Sequence, residues 1–144
     1  MKYIRPLTEA KVDYEDKYHE ITLWDRGLSR RPWGTINYGL LDWDRIDMTS
    51  TGLSDEDKAF YKMVGKNPFI KNITVDEYFR GKGYGKQLYD LMFEWLKKKG
   101  FKIVYSGRTR NSNLVDKIWN KVKSGVKTIP SENYGKIKIY FKKL

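Results

Sequence analysis

A glycine-rich stretch in the middle of the chain has the residue types of an anion-binding loop. Residues 75–85 read Val-Asp-Glu-Tyr-Phe-Arg-Gly-Lys-Gly-Tyr-Gly. Glycine tolerates positive φ and carries no Cβ, so the backbone at Gly81, Gly83 and Gly85 can approach a ligand closely. The N–H groups at a helix N-terminus attract anions, and a helical pattern follows this stretch. The stretch therefore predicts a loop that holds an anion against the start of a helix.

The elements around this loop follow from hydrophobic periodicity. Residues 69–75 form a β-rich run before the loop, and residues 101–106 form a short apolar run that is typical of a buried strand. Helical spacing places Leu88, Leu91, Met92, Trp95 and Leu96 on one face, and Leu114, Val115, Ile118, Trp119 and Val122 on another. Gly100 would end the first helix, and residues 111–113 would cap the second. Strand, helix, strand and helix in succession predict a parallel strand pair joined by a right-handed crossover.

The C-terminal segment predicts an antiparallel hairpin. Ile137, Ile139 and Phe141 alternate with Lys138, Tyr140 and Lys142. Alternation of this kind is typical of a half-solvated strand. It could pair with residues 126–129 across the loop from Pro130 to Gly135.

The N-terminal half is less regular. Residues 2–7 favour an opening strand, residues 12–24 a surface helix, and residues 33–48 a strand with a bend. Residues 49–68 stay open, because Ser54 would cap a helix whereas residues 59–64 could equally be a strand. The chain has no repeat and no long Pro/Gly/Ser linker, so residues 1–144 are interpreted as one domain.

Composition excludes several classes of site. The 144 residues include no cysteine and one histidine, which removes disulfides and thiol nucleophiles and disfavours a metal site. The N-terminus lacks the apolar run of a signal peptide, and no segment has the length of a membrane span. We therefore expect a cytoplasmic protein with no membrane association.

The net positive charge of the chain comes from its second half. The net charge is +11 overall, with −1 over residues 1–70 and +12 over residues 71–144. The basic half begins next to the glycine loop, so a polyphosphate ligand would account for part of this charge. Weak, unspecific binding to nucleic acid is a second consequence.

The loop resembles the cofactor loop of the GCN5-related N-acetyltransferases (GNAT). That family has the pattern Arg/Gln-x-x-Gly-x-Gly/Ala after a strand that ends in valine, and Arg80, Gly83 and Gly85 match it without a gap. Glu77 stands where proline is usual. The resemblance covers residues 69–122 and implies an α/β (α+β) fold. Such a fold has a mixed central sheet with splayed parallel central strands, flanking helices and a C-terminal antiparallel hairpin.

The resemblance also implies acetyl-CoA as cosubstrate and a set of binding residues. Backbone N–H groups of residues 81–86 would bind the pyrophosphate, and the edge of the first parallel strand would pair with the pantetheine arm. The Val75 N–H would stabilise the oxyanion during direct attack by an amine in a ternary complex. The implied cofactor-binding residues are Ile73, Thr74, Val75, Arg80, Gly81, Lys82, Gly83, Tyr84, Gly85, Lys86, Asn111, Ser112 and Asn113. Arg108 and Arg110 are further partners for phosphate.

One position departs from the family. A tyrosine that protonates the departing thiolate is usual seven residues after an asparagine, and Trp119 stands there with Ser112 at the asparagine position. An indole N–H donates a hydrogen bond but is not an acid near neutral pH. We therefore interpret Trp119 as core or as a wall of the cofactor site. Tyr134 in the last loop and Tyr105 on the strand are candidates for the acid, an unassisted thiolate is a second alternative, and lost catalysis is a third.

The acceptor is the least determined feature. Trp24, Trp33, Tyr38 and Trp43 lie near Asp42, Asp44 and Asp47 in sequence, and aromatic rings beside carboxylates suit a cationic amine. The prediction is an N-acetyltransferase for a primary amine, as a monomer or homodimer. The alternative is a catalytically silent protein of this fold that binds nucleic acid or protein through its basic half.

Overall fold

The computed structural model describes residues 10–25, 32–77, 80–81, 83–108, 113–131, 133 and 135–144. The strands are β1 (Ala10–Glu15), β2 (Glu20–Asp25), β3 (Pro32–Gly39), β4 (Phe69–Val75), β5 (Ile103–Tyr105), β6 (Gly125–Ser131) and β7 (Gly135–Lys143). The helices are α1 (Asp55–Val64), α2 (Tyr84–Lys98) and α3 (Asn113–Val122), with a short 3-10 turn at Asp16–Tyr18. The opening strand expected at residues 2–7 lies outside the described residues.

The seven described strands form one sheet in the order β1-β2-β3-β4-β5-β7-β6. The β4–β5 pair is parallel, and the neighbouring pairs are antiparallel. Among the described residues, β4 and β5 pair only at Phe69 and Tyr105, so the two strands separate beyond that point. The predicted mixed sheet with splayed central parallel strands is confirmed.

The surface helix expected at residues 12–24 is wrong, because that segment is the β1–β2 hairpin. Its strands pair in register from Ala10 with Asp25 to Glu15 with Glu20. His19 has a φ of 52°, the left-handed conformation that reverses the chain between the strands. Val12, Tyr14, Ile21 and Leu23 follow a period of two within each strand, which the sequence did not separate from helical spacing.

Two further segments are resolved by the structure. The strand expected over residues 33–48 ends at Gly39, and turns follow it. The open segment 49–68 contains α1, whose N-cap is Ser54; the Ser54 hydroxyl accepts a hydrogen bond from the Asp57 N–H at 3.0 Å. Acidic residues at positions 55–57 favour this helix start, because they face its positive end.

The sheet has a hydrophobic cluster on each side. Helices α2 and α3 pack together on one face, where Leu88, Met92 and Leu96 are fully buried with Trp119. Helix α1 covers the other face beside β5, β6 and β7. There Phe60 and Val64 of α1 form a second hydrophobic cluster with residues of these strands. No described helix is long and apolar enough to cross a membrane.

The C-terminal hairpin has the predicted pairing but not the predicted exposure. Ile129 pairs with Ile137 and Val126 with Tyr140 in an antiparallel register. Tyr140 was expected on a solvated face, yet it is 3% exposed and stacks on Trp119 with a centroid distance of 6.1 Å. Helix α3 covers this face of β7, so both sides of the strand are partly buried.

Candidate functional site

The three loop glycines have two different structural roles. Gly81 and Gly83 have φ angles of 75° and 81°, and a Cβ added at either would meet no atom within 4 Å. Gly85 lies inside α2, and a Cβ there would come within 3.1 Å of the Ile118 Cδ1 atom. The expectation that all three glycines supply special φ angles is therefore wrong for Gly85, which is small so that α3 can pack against α2.

A cavity of about 260 Å³ lies against this loop. Val75, Arg80, Gly81, Gly83, Tyr84, Gly85, Lys86, Lys117, Ile118 and Lys121 line it. The first turn of α2 contains no acidic residue, and the first N–H groups of a helix have no partner within it. Four cationic side chains around a helix N-terminus fit a phosphate-bearing group. The Tyr84 side chain is 1% exposed and packs on Trp33, so Tyr84 meets the cavity mainly through its backbone.

Successive residues of β4 direct their backbone N–H and C=O groups to opposite sides of the strand. The Asp76 N–H donates to the Trp33 carbonyl at 2.8 Å, and Gly34 lies opposite Val75 in the register. In an antiparallel pair alternate residues point to opposite edges. The backbone groups of Ile73 and Val75 therefore face β5, whereas those of Thr74 face β3. Of the three predicted edge residues, Thr74 is turned away from the splay.

A second cavity, of about 180 Å³, lies where β4 and β5 separate. Its lining consists of Ile70, Lys71, Asn72, Ile73, Tyr89, Gly107, Arg108, Val115 and Trp119. Gly107 is required for close approach, because a Cβ there would lie 2.8 Å from the Ile70 carbonyl oxygen. Both cavities have walls from β4, α2 and α3, so they lie along one line beside β4.

The residues considered for acid catalysis occupy different places. Trp119 is fully buried and lines the second cavity, in agreement with its interpretation as core or site wall. Tyr105 lies in the hydrophobic cluster beneath α1, where burial raises the pKa of its hydroxyl, and it does not line either cavity. Tyr134, Lys82, Arg110, Asn111 and Ser112 lie outside the described residues. Asn113 is the first residue of α3.

Arg108 joins the second cavity to α1. One guanidinium nitrogen, Nη1, donates to Glu56 Oε2 at 3.2 Å and also to Asp57 Oδ1. The guanidinium lies over the Phe60 ring, 4.8 Å from its centroid. The hydrogen bond from Arg108 is the main cause that lowers the pKa of Asp57, and the same two carboxylates raise the pKa of Arg108 against the opposing effect of burial. Two carboxylates therefore share one cation at this side of the site.

The aromatic and acidic residues expected to form the acceptor site are not brought together in that way. Trp33 and Tyr38 are 0% and 4% exposed and belong to the core beneath α2. The Trp43 indole donates to the Gly65 carbonyl at 3.0 Å, at the end of α1. Asp42 and Asp47 accept hydrogen bonds within their own turns. The pattern in sequence was local, and the strand pairing separates its members.

Sequence reasoning missed Lys117, Lys121, Glu56 and Tyr89. Lys117 and Lys121 are one helical turn apart and point to the loop, which became visible only when α3 was packed against α2. Glu56 is 6% exposed and reaches the site through Arg108. Tyr89 lies among the apolar residues of α2 and was therefore not considered as a site residue. Its spacing of four residues from Gly85 places it one helical turn further along the same face, which was the available signal.

Solved structures share this fold at low sequence identity. A mosquito arylalkylamine N-acetyltransferase like 5b matches with a TM-score of 0.60 and 18% identity, over 90% of this chain and 76% of the other. An agmatine N-acetyltransferase mutant matches with a TM-score of 0.57 and 12% identity, over 88% of this chain and 74% of the other. A Bacillus subtilis acetyltransferase in complex with CoA matches with a TM-score of 0.53 and 17% identity, over 87% of this chain and 76% of the other.

Sequence comparison gives the family. No curated protein sequence matches the chain. The model of the Acetyltransferase (GNAT) family matches residues 11–116, which include the loop, both parallel strands and α2. The chain therefore belongs to the GNAT acetyltransferase family.

Proposed function

We propose that this chain transfers the acetyl group of acetyl-CoA to a primary amine, by direct attack in a ternary complex. The observation that carries the proposal is the alignment of two cavities along β4, one beside the cationic loop and one at the splay. Family membership supplies the donor, because GNAT proteins use acetyl-CoA. The first cavity suits its phosphates and the second suits its thioester end.

The loop would hold the phosphates through backbone and side chains together. The N–H groups at the start of α2 point at the anion and carry the positive end of the helix dipole. Arg80, Lys86, Lys117 and Lys121 add mobile cations around the same cavity. Charge-assisted hydrogen bonds of this kind are stronger than neutral ones, so the loop would contribute much of the affinity.

The free edge of β4 would orient the rest of the donor. Ile73 and Val75 direct their backbone groups toward the splay, where an extended amide chain can pair with them as an added strand would. The Val75 N–H would then stabilise the negative charge that develops on the carbonyl oxygen during attack. The chain has no cysteine, and direct attack by the amine needs no protein nucleophile.

The acceptor would approach the second cavity from the side of α1. Glu56, Asp57 and Arg108 together carry one net negative charge at that side. Lys71, which also lines this cavity, offsets that charge, so the attraction of a cationic amine would rest on local pairing with Glu56 and Asp57. The amine must lose its proton before it attacks, so the rate should rise with pH until the bound amine is neutral.

Calorimetric titration with acetyl-CoA and a CoA-release assay test the proposal together. The assay uses a panel of polyamines, amino sugars, lysine peptides and basic proteins, each with and without the enzyme. We expect binding and release with at least one cationic amine. Absence of binding would exclude the acetyltransferase proposal, whereas binding without release from any amine would support the catalytically silent alternative.

A further inference from the structure

Two neutral hydrogen-bond donors, Tyr89 and Trp119, line the second cavity. Tyr89 lies on α2 and Trp119 on α3, and their rings meet edge to face with centroids 5.5 Å apart. This cavity is the one that the proposed function assigns to the thioester end of acetyl-CoA, so the inference rests on that function. The question is what these two groups do when the carbon–sulfur bond breaks.

Trp119 is held rigidly, and its indole N–H lies close to the Tyr89 hydroxyl. Its ring packs against the Phe93 ring, with centroids 5.6 Å apart, and stacks on the Tyr140 ring. The Trp119 side chain is fully buried. Its indole nitrogen has no hydrogen-bond acceptor of good geometry among the described residues. A buried donor without an acceptor destabilises a protein, so an unsatisfied N–H on a residue that lines a cavity points to an acceptor supplied by a ligand.

Tyr89 is suited to donate a hydrogen bond without losing its proton. Burial raises the pKa of Tyr89 to about 12, against a smaller lowering by the Trp119 N–H, which approaches the Tyr89 oxygen. A thiol has a pKa near ~8.5, by analogy with cysteine. Transfer of the Tyr89 proton to a thiolate is therefore unfavourable, whereas a hydrogen bond from its O–H to the thiolate is favourable. The indole N–H has the same limitation and the same use.

We propose that the Tyr89 O–H and the Trp119 Nε1–H form a donor pair that stabilises the sulfur of coenzyme A as a thiolate. As the amine nitrogen bonds to the carbonyl carbon, the carbon–sulfur bond breaks and its electron pair leaves on sulfur. Neither residue gives up its proton. The proton of the attacking amine passes to solvent, and the thiolate takes up a proton from solvent afterwards. Tryptophan at position 119 therefore replaces an acid by a donor.

The thiol pKa of bound coenzyme A is the measurement that isolates this pair. The pH dependence of thiolate ultraviolet absorbance is recorded for the complex with coenzyme A, with the desulfo-coenzyme A complex as reference. We expect the bound thiol to be more acidic than free coenzyme A. Tyr89→Phe and Trp119→Phe should each raise its pKa by about one unit, a tenfold loss of acidity, because each removes one hydrogen bond to an anion.

Tyr140→Phe is the matched control, because it removes a buried tyrosine hydroxyl behind Trp119 and outside both cavities. It should leave the thiol pKa unchanged. Tyr89→Phe deletes a single oxygen and keeps the test valid if Trp119→Phe does not fold. Unchanged acidity in folded variants that still bind coenzyme A, or a shift in Tyr89→Phe equal to that in Tyr140→Phe, would overturn the donor pair. Failure of the parent to bind coenzyme A would overturn the proposed function and this inference with it.

Discussion

Arg80 turns back onto the strand that precedes it: its Nε atom donates a hydrogen bond of 3.1 Å to the carbonyl of Val75. The last residue of β4 is thereby tied to the first cation of the loop, while the Arg80 side chain still lines the first cavity. The guanidinium has further N–H groups that can reach an anion. This side chain therefore fixes the loop and presents charge at once.

Replacing Arg80 should weaken the binding of coenzyme A more than a change of charge alone would. We expect Arg80→Ala to lower the affinity about tenfold to a hundredfold, because a charge-assisted hydrogen bond and the loop anchor are both lost. Calorimetry measures the change, and Arg45→Ala is the control, since Arg45 pairs with Asp42 in a local turn. Equal affinities of parent and Arg80→Ala would argue against phosphate binding at this loop.

Gly83→Val should abolish coenzyme A binding while the protein stays folded. Gly83 is the N-cap of α2, with φ at 81°, so valine there is strained and also places a side chain where phosphate would approach. Gly100→Val provides the matched control, because Gly100 has φ at 96° at the other end of the same helix. Both variants should lose some stability in thermal unfolding, but only Gly83→Val should lose binding. If Gly83→Val binds like the parent, the loop assignment is wrong.

The Arg108–Asp57 contact predicts an acid-sensitive part of the free energy of unfolding. The pKa of Asp57 is lowered from its ordinary value of 3.8, chiefly by the hydrogen bond from Arg108. Its stabilisation is therefore complete above the unfolded pKa and is lost as pH falls through the lower folded pKa. We expect Asp57→Asn to be less stable than the parent at neutral pH by about 1–2 kcal/mol. That difference should shrink as pH falls below 3.8.

Denaturant unfolding of the parent and Asp57→Asn across this pH range measures the difference. Asp44→Asn is the control, because Asp44 lies in an exposed turn. A stability difference between parent and Asp57→Asn that stays constant with pH would show that the contact with Arg108 does not set the titration of Asp57.

Nucleic-acid binding should be weak, unspecific and easily removed by salt. Part of the basic half is already engaged within the chain, because Lys99 pairs with Asp16 at 2.7 Å and Lys127 lies over the Phe141 ring. Lys136, Lys138 and Lys143 remain exposed on β7. Fluorescence anisotropy with arbitrary duplex DNA and RNA should show a steep loss of affinity as salt rises. Tight binding that neither salt nor acetyl-CoA displaces would favour the binder alternative.

Trp119→Tyr should not abolish acetyltransferase activity. Tyrosine at this buried position retains a hydrogen-bond donor toward the cavity in place of the indole N–H. Single-turnover release of coenzyme A measures the chemical step for the parent and this variant. Tyr134→Phe is run beside them, because Tyr134 stays a candidate for the acid. Loss of activity in Trp119→Tyr with intact coenzyme A binding would contradict the prediction.

The strand, loop, helix, strand and helix from Phe69 to Val122 were determined by the sequence alone. Each of these elements has a strong local signal. The apolar residues follow one period over each run, which distinguishes helix from strand, and glycines mark the loop and the end of α2. Ser54 likewise marked the start of α1, although a strand remained open there. The glycine-rich loop beside the first cavity was found for the same reason, since its residues are contiguous.

Tertiary structure decided what depends on residues distant in sequence. The β1–β2 hairpin was predicted as a helix because Tyr14, Tyr18 and Ile21 fall at helical spacing, whereas in the structure Tyr14 and Ile21 lie opposite each other in the hairpin and β2 pairs with β3. Lys121 and Tyr89 joined the site through the packing of α3 on α2, and Glu56 joined it through Arg108. Strand pairing and helix packing bring together residues far apart in the chain, whereas periodicity and turn signals report only on near neighbours.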